Sequence, residues 1–220
     1  MINKILFKLF GLRLISSQGG EDLIIESLLP FKRDGFYVDI GANHPIRYSN
    51  TLLFKNKGWQ GINIEPNPER MRLFKLLRRR DINLNIGIGP AAATLDFYVF
   101  NEHTLSTFDS RSAEEFQKIG HQVKKIIKVP VAPLKDILEK YCPDREIDLF
   151  SIDTEGYDLE VLKSNDWHKF RPRFIILETL EYRQNGEEKK LNDIFDPFLA
   201  AVGYKSIADT YINTIYEKIN

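Results

Sequence analysis

A single cysteine, Cys142, excludes an internal disulfide and fits a reducing compartment; beside Pro143 it reads as a loop or packing residue rather than a nucleophile. Neither sign of charge prevails. The 31 basic and 31 acidic side chains cancel, so no global field points to nucleic acid or to a membrane surface. No apolar run has the length of a membrane span, and no secretion signal is legible, which together suggest a cytoplasmic protein. No repeat or low-complexity linker divides the 220 residues, a length most simply folded as one domain with a substantial core.

The first sixteen residues read as an amphipathic helix set before a single domain over 17–220. Ile2, Ile5, Leu6, Leu9 and Phe10 share one helical face, interrupted by Lys4 and Lys8. Such a face packs on the domain or on a second subunit, which leaves room for a homodimer. A peripheral membrane contact through residues 1–14 is the weaker reading, because only Lys4, Lys8 and Arg13 supply basic charge.

The pattern that organises the chain is Phe36-Tyr37-Val38-Asp39-Ile40-Gly41-Ala42-Asn43-His44-Pro45. An apolar run ends in an acid, a glycine turn and polar residues, the order of a buried parallel strand delivering its end to a nucleotide-sized ligand. Further strands are predicted over 61–65, 82–88, 147–153 and 174–178. Residues 94–100 alternate like an edge strand or hairpin arm, 126–131 look extended, and strands over 204–208 and 211–217 close the chain. Helices are predicted over 23–29 and 52–57, the second capped by Ser49, and from Asn67-Pro68 to about Arg80. Others are expected over 112–119, from Pro133 to Tyr141, after Gly156 and over 191–201. Strands alternating with helices imply an α/β, doubly wound, mostly parallel sheet with an antiparallel element at one edge. In that topology Asp39, Glu65, Asp153 and Glu178 all end strands on the side where ligands gather.

Glu65 lies about where an acid accepts hydrogen bonds from ribose hydroxyls. A dinucleotide fold wants three glycines for its pyrophosphate, whereas Gly41 is followed by Ala-Asn-His-Pro-Ile-Arg. A cofactor without phosphates fits better. S-adenosylmethionine is one, with its ribose for Glu65 and its cationic groups for acids such as Asp39.

Several pieces in order resemble the FkbM-type family of S-adenosylmethionine-dependent methyltransferases. They are Ser17-Gln18 with Glu21-Asp22, Val38 to Asn43, Ser49-Asn50-Thr51, Gly58-Trp59-Gln60-Gly61-Ile62, and Glu65-Pro66-Asn67-Pro68. Ser151-Ile152-Asp153-Thr154-Glu155-Gly156 and Ile175-Ile176-Leu177-Glu178 complete the set. The resemblance implies a class I methyltransferase fold, a Rossmann-like seven-stranded sheet, and O-methylation of a hydroxyl, often on a sugar or a secondary metabolite. Two departures, His44-Pro45 and Ser151, fall near the expected acceptor pocket. A nicotinamide-dependent oxidoreductase, or a catalytically inactive cofactor-binding module, stands as the alternative.

On this reading Asp39 and the backbone of Gly41, Ala42 and Asn43 hold the methionine portion, and Glu65 with Pro66 the ribose. Asn67 either caps its helix or touches the cofactor. Ser49 and Asn50 open a helix whose N-terminus faces the cofactor carboxylate, or merely cap it. Asn85 and Ile86 are expected at the adenine edge, and the resemblance adds Gln18 as closing the pocket. A hydroxyl acceptor needs a base or a divalent cation. Asp153 is the first candidate base and His44 the second; Glu178 pairs with Asp153, to raise a carboxyl pKa or to share a cation. Glu155 reads as a turn residue bonding the Gly156 backbone, with a catalytic role as the close alternative. The segment with His103, Thr104, Ser106 and Thr107 would select the acceptor. The run Arg70, Arg72, Lys75, Arg78, Arg79, Arg80 reads as a solvated helix face, with an anionic acceptor as the minority use.

Overall fold

A computed structural model describes residues 15–182 and 187–219. The helix expected at the N-terminus, and with it the membrane and subunit contacts assigned to residues 1–14, lies outside the described residues. In chain order the helices are α1 (Glu21–Leu28), α2 (Leu52–Lys57), α3 (Pro68–Leu77), α4 (Ser110–Lys118), α5 (Leu134–Tyr141), α6 (Asp158–Lys163) and α7 (Asn192–Ala201). The strands are β1 (Phe36–Ile40), β2 (Gln60–Ile64), β3 (Ile82–Leu84), β4 (Gly87–Ile88), β5 (Ala93–Phe100), β6 (Val123–Ala132), β7 (Leu149–Ile152), β8 (Phe174–Glu178), β9 (Leu180–Tyr182), β10 (Glu188–Lys190), β11 (Tyr204–Asp209) and β12 (Asn213–Lys218).

Seven strands form the main sheet in the order β11-β12-β8-β7-β1-β2-β3. All run parallel except β12, which opposes both β8 and β11. β1 lies inside the sheet between β7 and β2 and is buried along its whole length, as a strand covered on both faces must be. Its side chains alternate. Phe36, Val38 and Ile40 join Phe150, Ile152 and Leu177 against α5, α6 and α7, while Tyr37 joins Leu149 and Ile176 against Ile25, Phe54 and Trp59. Asp39 shares the second face and so meets the segment leading into α2. Cys142 is buried and its thiol is pushed up to about 11 by burial, as suits a packing residue.

Four local expectations change. The strand expected over 82–88 splits: β3 stays in the main sheet, and β4 pairs with β6 in a second sheet completed by β5. The charged stretch after Glu178 contains the hairpin β9–β10. Ser49 does not cap α2, whose N-cap is Thr51; the Ser49 hydroxyl accepts from Arg78 instead. Arg78 leaves the solvated face altogether. α3 ends at Leu77, and the changed backbone at its C-cap turns the guanidinium inward, where it is 1% exposed.

Candidate active site

β1, β2, β7 and β8 are neighbours, so Asp39, Glu65, Asp153 and Glu178 are delivered to one edge of the sheet. All four line a single cleft of about 990 Å³, open mouth included. Its floor depends on Gly41, which adopts φ 76°. A Cβ there would lie 1.7 Å from the Asp153 carbonyl oxygen, so the glycine makes room for the end of β7 as well as for a ligand. Asn43, Tyr48 and Glu155 also hold left-handed φ values of 47°, 55° and 54°. All three line the cleft, so backbone strain gathers where ligand contacts would be made.

At one end Glu65 is 5% exposed and ties two loops together. One oxygen accepts the Asn43 N–H at 2.8 Å and the other the Asn67 N–H at 2.6 Å. Each oxygen keeps a lone pair for a ligand hydroxyl. Burial pushes its pKa up to about 7 although both N–H groups, and Arg70 nearby, favour the charged form. Asn67 takes the first of its two expected roles, its Oδ1 capping α3 by accepting Glu69 N–H at 3.0 Å, and the residue also lines the cleft. Its Nδ2 is buried with no partner, an orphan donor of the kind a bound ligand satisfies.

Asp39 lies between the ends. Its Oδ2 accepts the Thr51 hydroxyl at 2.6 Å. Burial raises its pKa, while Arg78, Thr51 and Ser151 oppose the rise. Ala42, Ser49, Asn50 and Pro66 line the same cleft, as does Gln18 at its exposed rim.

The other end holds carboxylates. Ligand oxygens of Asp153, Glu155 and Glu178 lie within 4.8 Å of one another. Burial comes first in raising all three pKa values, with the mutual repulsion of the acids and of Asp158 adding to it. Glu178 shares a hydrogen bond with Asp153 that lowers the pKa of Asp153 and raises that of Glu178, so of the two Glu178 holds a proton more tightly. Glu155 is therefore not the turn residue its position suggested. The Gly156 N–H bonds Asp158 at 3.3 Å, and the Glu155 carboxylate faces Asp153 and Glu178.

Three expected residues sit elsewhere. His44 does not line the cleft: its Nδ1 accepts the N–H groups of Ile46 and Arg47, both at 3.0 Å, and burial with Arg47 lowers its pKa. A ring nitrogen already capping a turn is a poor proton acceptor. Asn85 buttresses the Glu65 loop from outside, donating to the carbonyls of Glu65 and Pro66 at 2.8 Å each, and Ile86 packs on the core. Gly87 and Ile88 line the cleft in their place. In the connection between β5 and α4, His103, Thr104 and Ser106 do reach the cleft, while the Thr107 hydroxyl donates to the Glu155 carbonyl at 2.8 Å. The pattern reading missed Tyr48, Phe97, Phe108 and Tyr157, and gave Arg70 a ligand contact only as the minority use of a solvated face. Arg70 stands one turn into the helix that Asn67-Pro68 begins, and that spacing was the available signal.

A second cleft, of about 900 Å³, opens over β8. Glu155 and Glu178 belong to both walls. Phe116, Leu180, Ile194 and Phe195 give it an apolar side, and Asp109 and Glu115 add acids.

The strand order, with one antiparallel strand beside the edge and a strand-tip cleft, defines a class I methyltransferase fold. A model of the methyltransferase FkbM domain matches residues 39–206, and the chain belongs to that methyltransferase family. No curated protein matches. Among solved structures, a Staphylococcus aureus protein described as a caffeoyl-CoA O-methyltransferase shares 9% identity at a TM-score of 0.52, covering 100% of this chain and 91% of its own. One from Clostridium thermocellum described as an rRNA methylase shares 12% at 0.47, covering 95% and 99%. The fibrillarin pre-rRNA processing protein of Methanococcus jannaschii shares 14% at 0.46, covering 86% and 68%. At these identities the likeness is one of fold.

Proposed function

We propose that this chain is an S-adenosylmethionine-dependent O-methyltransferase acting on a hydroxyl of a sugar, glycan precursor or related small metabolite. The observation that carries the reading is the division of one cleft between two kinds of group. At one end Glu65 and the orphan Asn67 donor suit a ribose. At the other, carboxylates with raised pKa values stand on the border of a second cleft that suits an acceptor.

The residues present fit the cofactor. Glu65 accepts from ribose hydroxyls, Asn67 Nδ2 donates to the nucleoside, Asp39 and the Gly41–Asn43 backbone hold the amino-acid end, and Gln18 closes the rim. When bound, S-adenosylmethionine supplies a methyl group already activated on a sulfonium. The protein's task is then chiefly to align an oxygen with it and to remove a proton. Asp153 accepts the proton of the acceptor hydroxyl. Glu178, whose carboxyl is the harder of the two to ionise, holds the Asp153 carboxylate in place through their shared hydrogen bond. Arg70, Tyr48 and the aromatic pair Phe97 and Phe108, with centroids 4.7 Å apart, form the walls that keep water out.

The test is transfer of labelled methyl from S-adenosylmethionine to a panel of sugars and hydroxylated metabolites, with and without a chelator. Transfer that survives chelation assigns activation of the hydroxyl to Asp153 alone. Transfer lost on chelation and restored by magnesium or manganese assigns it to a cation held by Asp153, Glu155 and Glu178. Binding of the cofactor with no transfer to any hydroxyl overturns the reading in favour of a module without chemistry.

A further inference from the structure

Arg78 has the largest fully buried side chain among the described residues. Its guanidinium is spent on one loop and its supports. Nε and Nη2 donate to the Pro45 carbonyl at 3.1 and 2.8 Å, and Nη2 donates to the Ser49 hydroxyl at 2.7 Å. Nη1 donates to the Thr51 hydroxyl at 2.6 Å, to Asn63 Oδ1 at 3.2 Å and to the Tyr37 hydroxyl at 3.4 Å. Phe74 lies under the plane, with its centroid 5.4 Å away. These bonds run to hydroxyls, an amide and a carbonyl. The acids Asp39 and Asp81 are joined to them through the hydroxyls of Thr51 and Tyr37, each at 2.6 Å.

A buried cation is a costly way to hold a fold together, since apolar groups of like volume often serve stability as well or better. What the cation does here is local. Pro45, Ser49 and Thr51 belong to the loop between β1 and α2, and Tyr48, Ser49 and Asn50 of that loop form a wall of the cleft. Tyr48 is kept at a left-handed φ of 55°. Arg78 stands behind that wall and is not part of the cleft lining.

We propose that Arg78 is a positioning residue that sets the 45–51 loop and Asp39 from behind, and so determines how tightly the amino-acid end of the cofactor is held. The inference rests on the cofactor reading above. Rigid donors in a fork suit the task better than a lysine, which offers a single point of charge. Asp39 then presents a carboxylate to a cationic ligand group although it is buried.

The test compares two ligands that share a nucleoside and differ in the tail: S-adenosylhomocysteine and 5′-methylthioadenosine, each titrated into the full chain. In Arg78→Met, affinity for S-adenosylhomocysteine falls by at least about tenfold while that for methylthioadenosine stays within about twofold, the loss expected of charged hydrogen bonds at one end only. Arg78→Lys recovers part of the loss. In turnover, KM for the methyl donor rises while kcat at saturation is kept. Should the Arg78 variants fail to fold, Thr51→Val decides: it keeps Arg78 and removes only the hydroxyl joining it to Asp39. Parallel weakening of both ligands, or no change in either, overturns the inference. A wild-type chain that binds neither ligand overturns the cofactor reading itself.

Discussion

Asp153, Glu155 and Glu178 are buried together, and no described hydrogen bond or ion pair brings a cation to them. The cluster therefore keeps protons at a pH where an exposed carboxyl has lost them. For a base that direction has a definite consequence: transfer is slow while Asp153 is protonated and rises as pH increases through the neutral range. We expect kcat/KM to show this ascending limb, titrating as a coupled set rather than as one residue. In Asp153→Asn it disappears with most of the activity, about 100-fold or more, the scale of a positioned proton acceptor. Retention of the limb in that variant would move the base elsewhere. Asp153 and Glu178 were legible in the sequence because each ends an apolar run, and strand ends on one side of a parallel sheet must meet; Glu155, two residues past its strand, was not. His44 and Asn85 were misjudged because spacing fixes where a residue stands on the chain but not which way its side chain turns. Arg78 was hidden for the same reason: the helix ends one residue before it.

The elements that bring Phe97, His103, Thr104, Ser106 and Phe108 to the cleft are those least legible beforehand. β5 and β6 pair over eight residues and enclose α4, making a small sheet that leans on the main domain through aromatic contacts. Phe108 is the hinge of that contact, with ring centroids 4.7 Å from Phe97 and 6.0 Å from Tyr157. No helical or strand period extends through residues 101–109, so their place at the cleft rests on long-range packing that a local pattern does not encode. Phe108→Ala should cost about 2 kcal/mol, below the figure for a fully buried phenylalanine because the ring is half-buried. Transfer should fall further than cofactor affinity, since Glu65, Asn67 and Asp39 lie on other elements. Equal loss of both in paired titration and turnover measurements would mean that the second sheet supports the whole cleft.

Across the molecule, β1, β2, β7 and β8 are apolar runs buried on both faces, and this made the doubly wound sheet readable from the chain alone. The cost of that arrangement is a row of acids at the sheet edge. Asp39, Glu65, Asp153, Glu155, Asp158 and Glu178 all have raised pKa values, Glu65 to about 7, with burial as the first cause. An acid whose folded pKa exceeds its unfolded one binds its proton more tightly in the folded state, so stability falls as pH rises between the two values. His44 and His103 are shifted down and act in the opposite sense, but they are fewer. The melting temperature of the ligand-free chain should therefore decline from pH 5.5 to pH 8, a range that starts above the unfolded carboxyl values of about 4 and runs through the folded values of about 7 for Glu65 and Asp153. A rise over that interval would contradict these shifts.

The most direct measurement is a calorimetric titration of S-adenosylhomocysteine into the wild-type chain and into Glu65→Ala, with NAD as the control ligand. The account predicts one site per chain in the wild type, affinity reduced by about 10- to 100-fold in Glu65→Ala, the scale of hydrogen bonds to a charged group, and no heat from NAD. Equal affinity in the two proteins, or binding of NAD in preference to the nucleoside thioether, would contradict it.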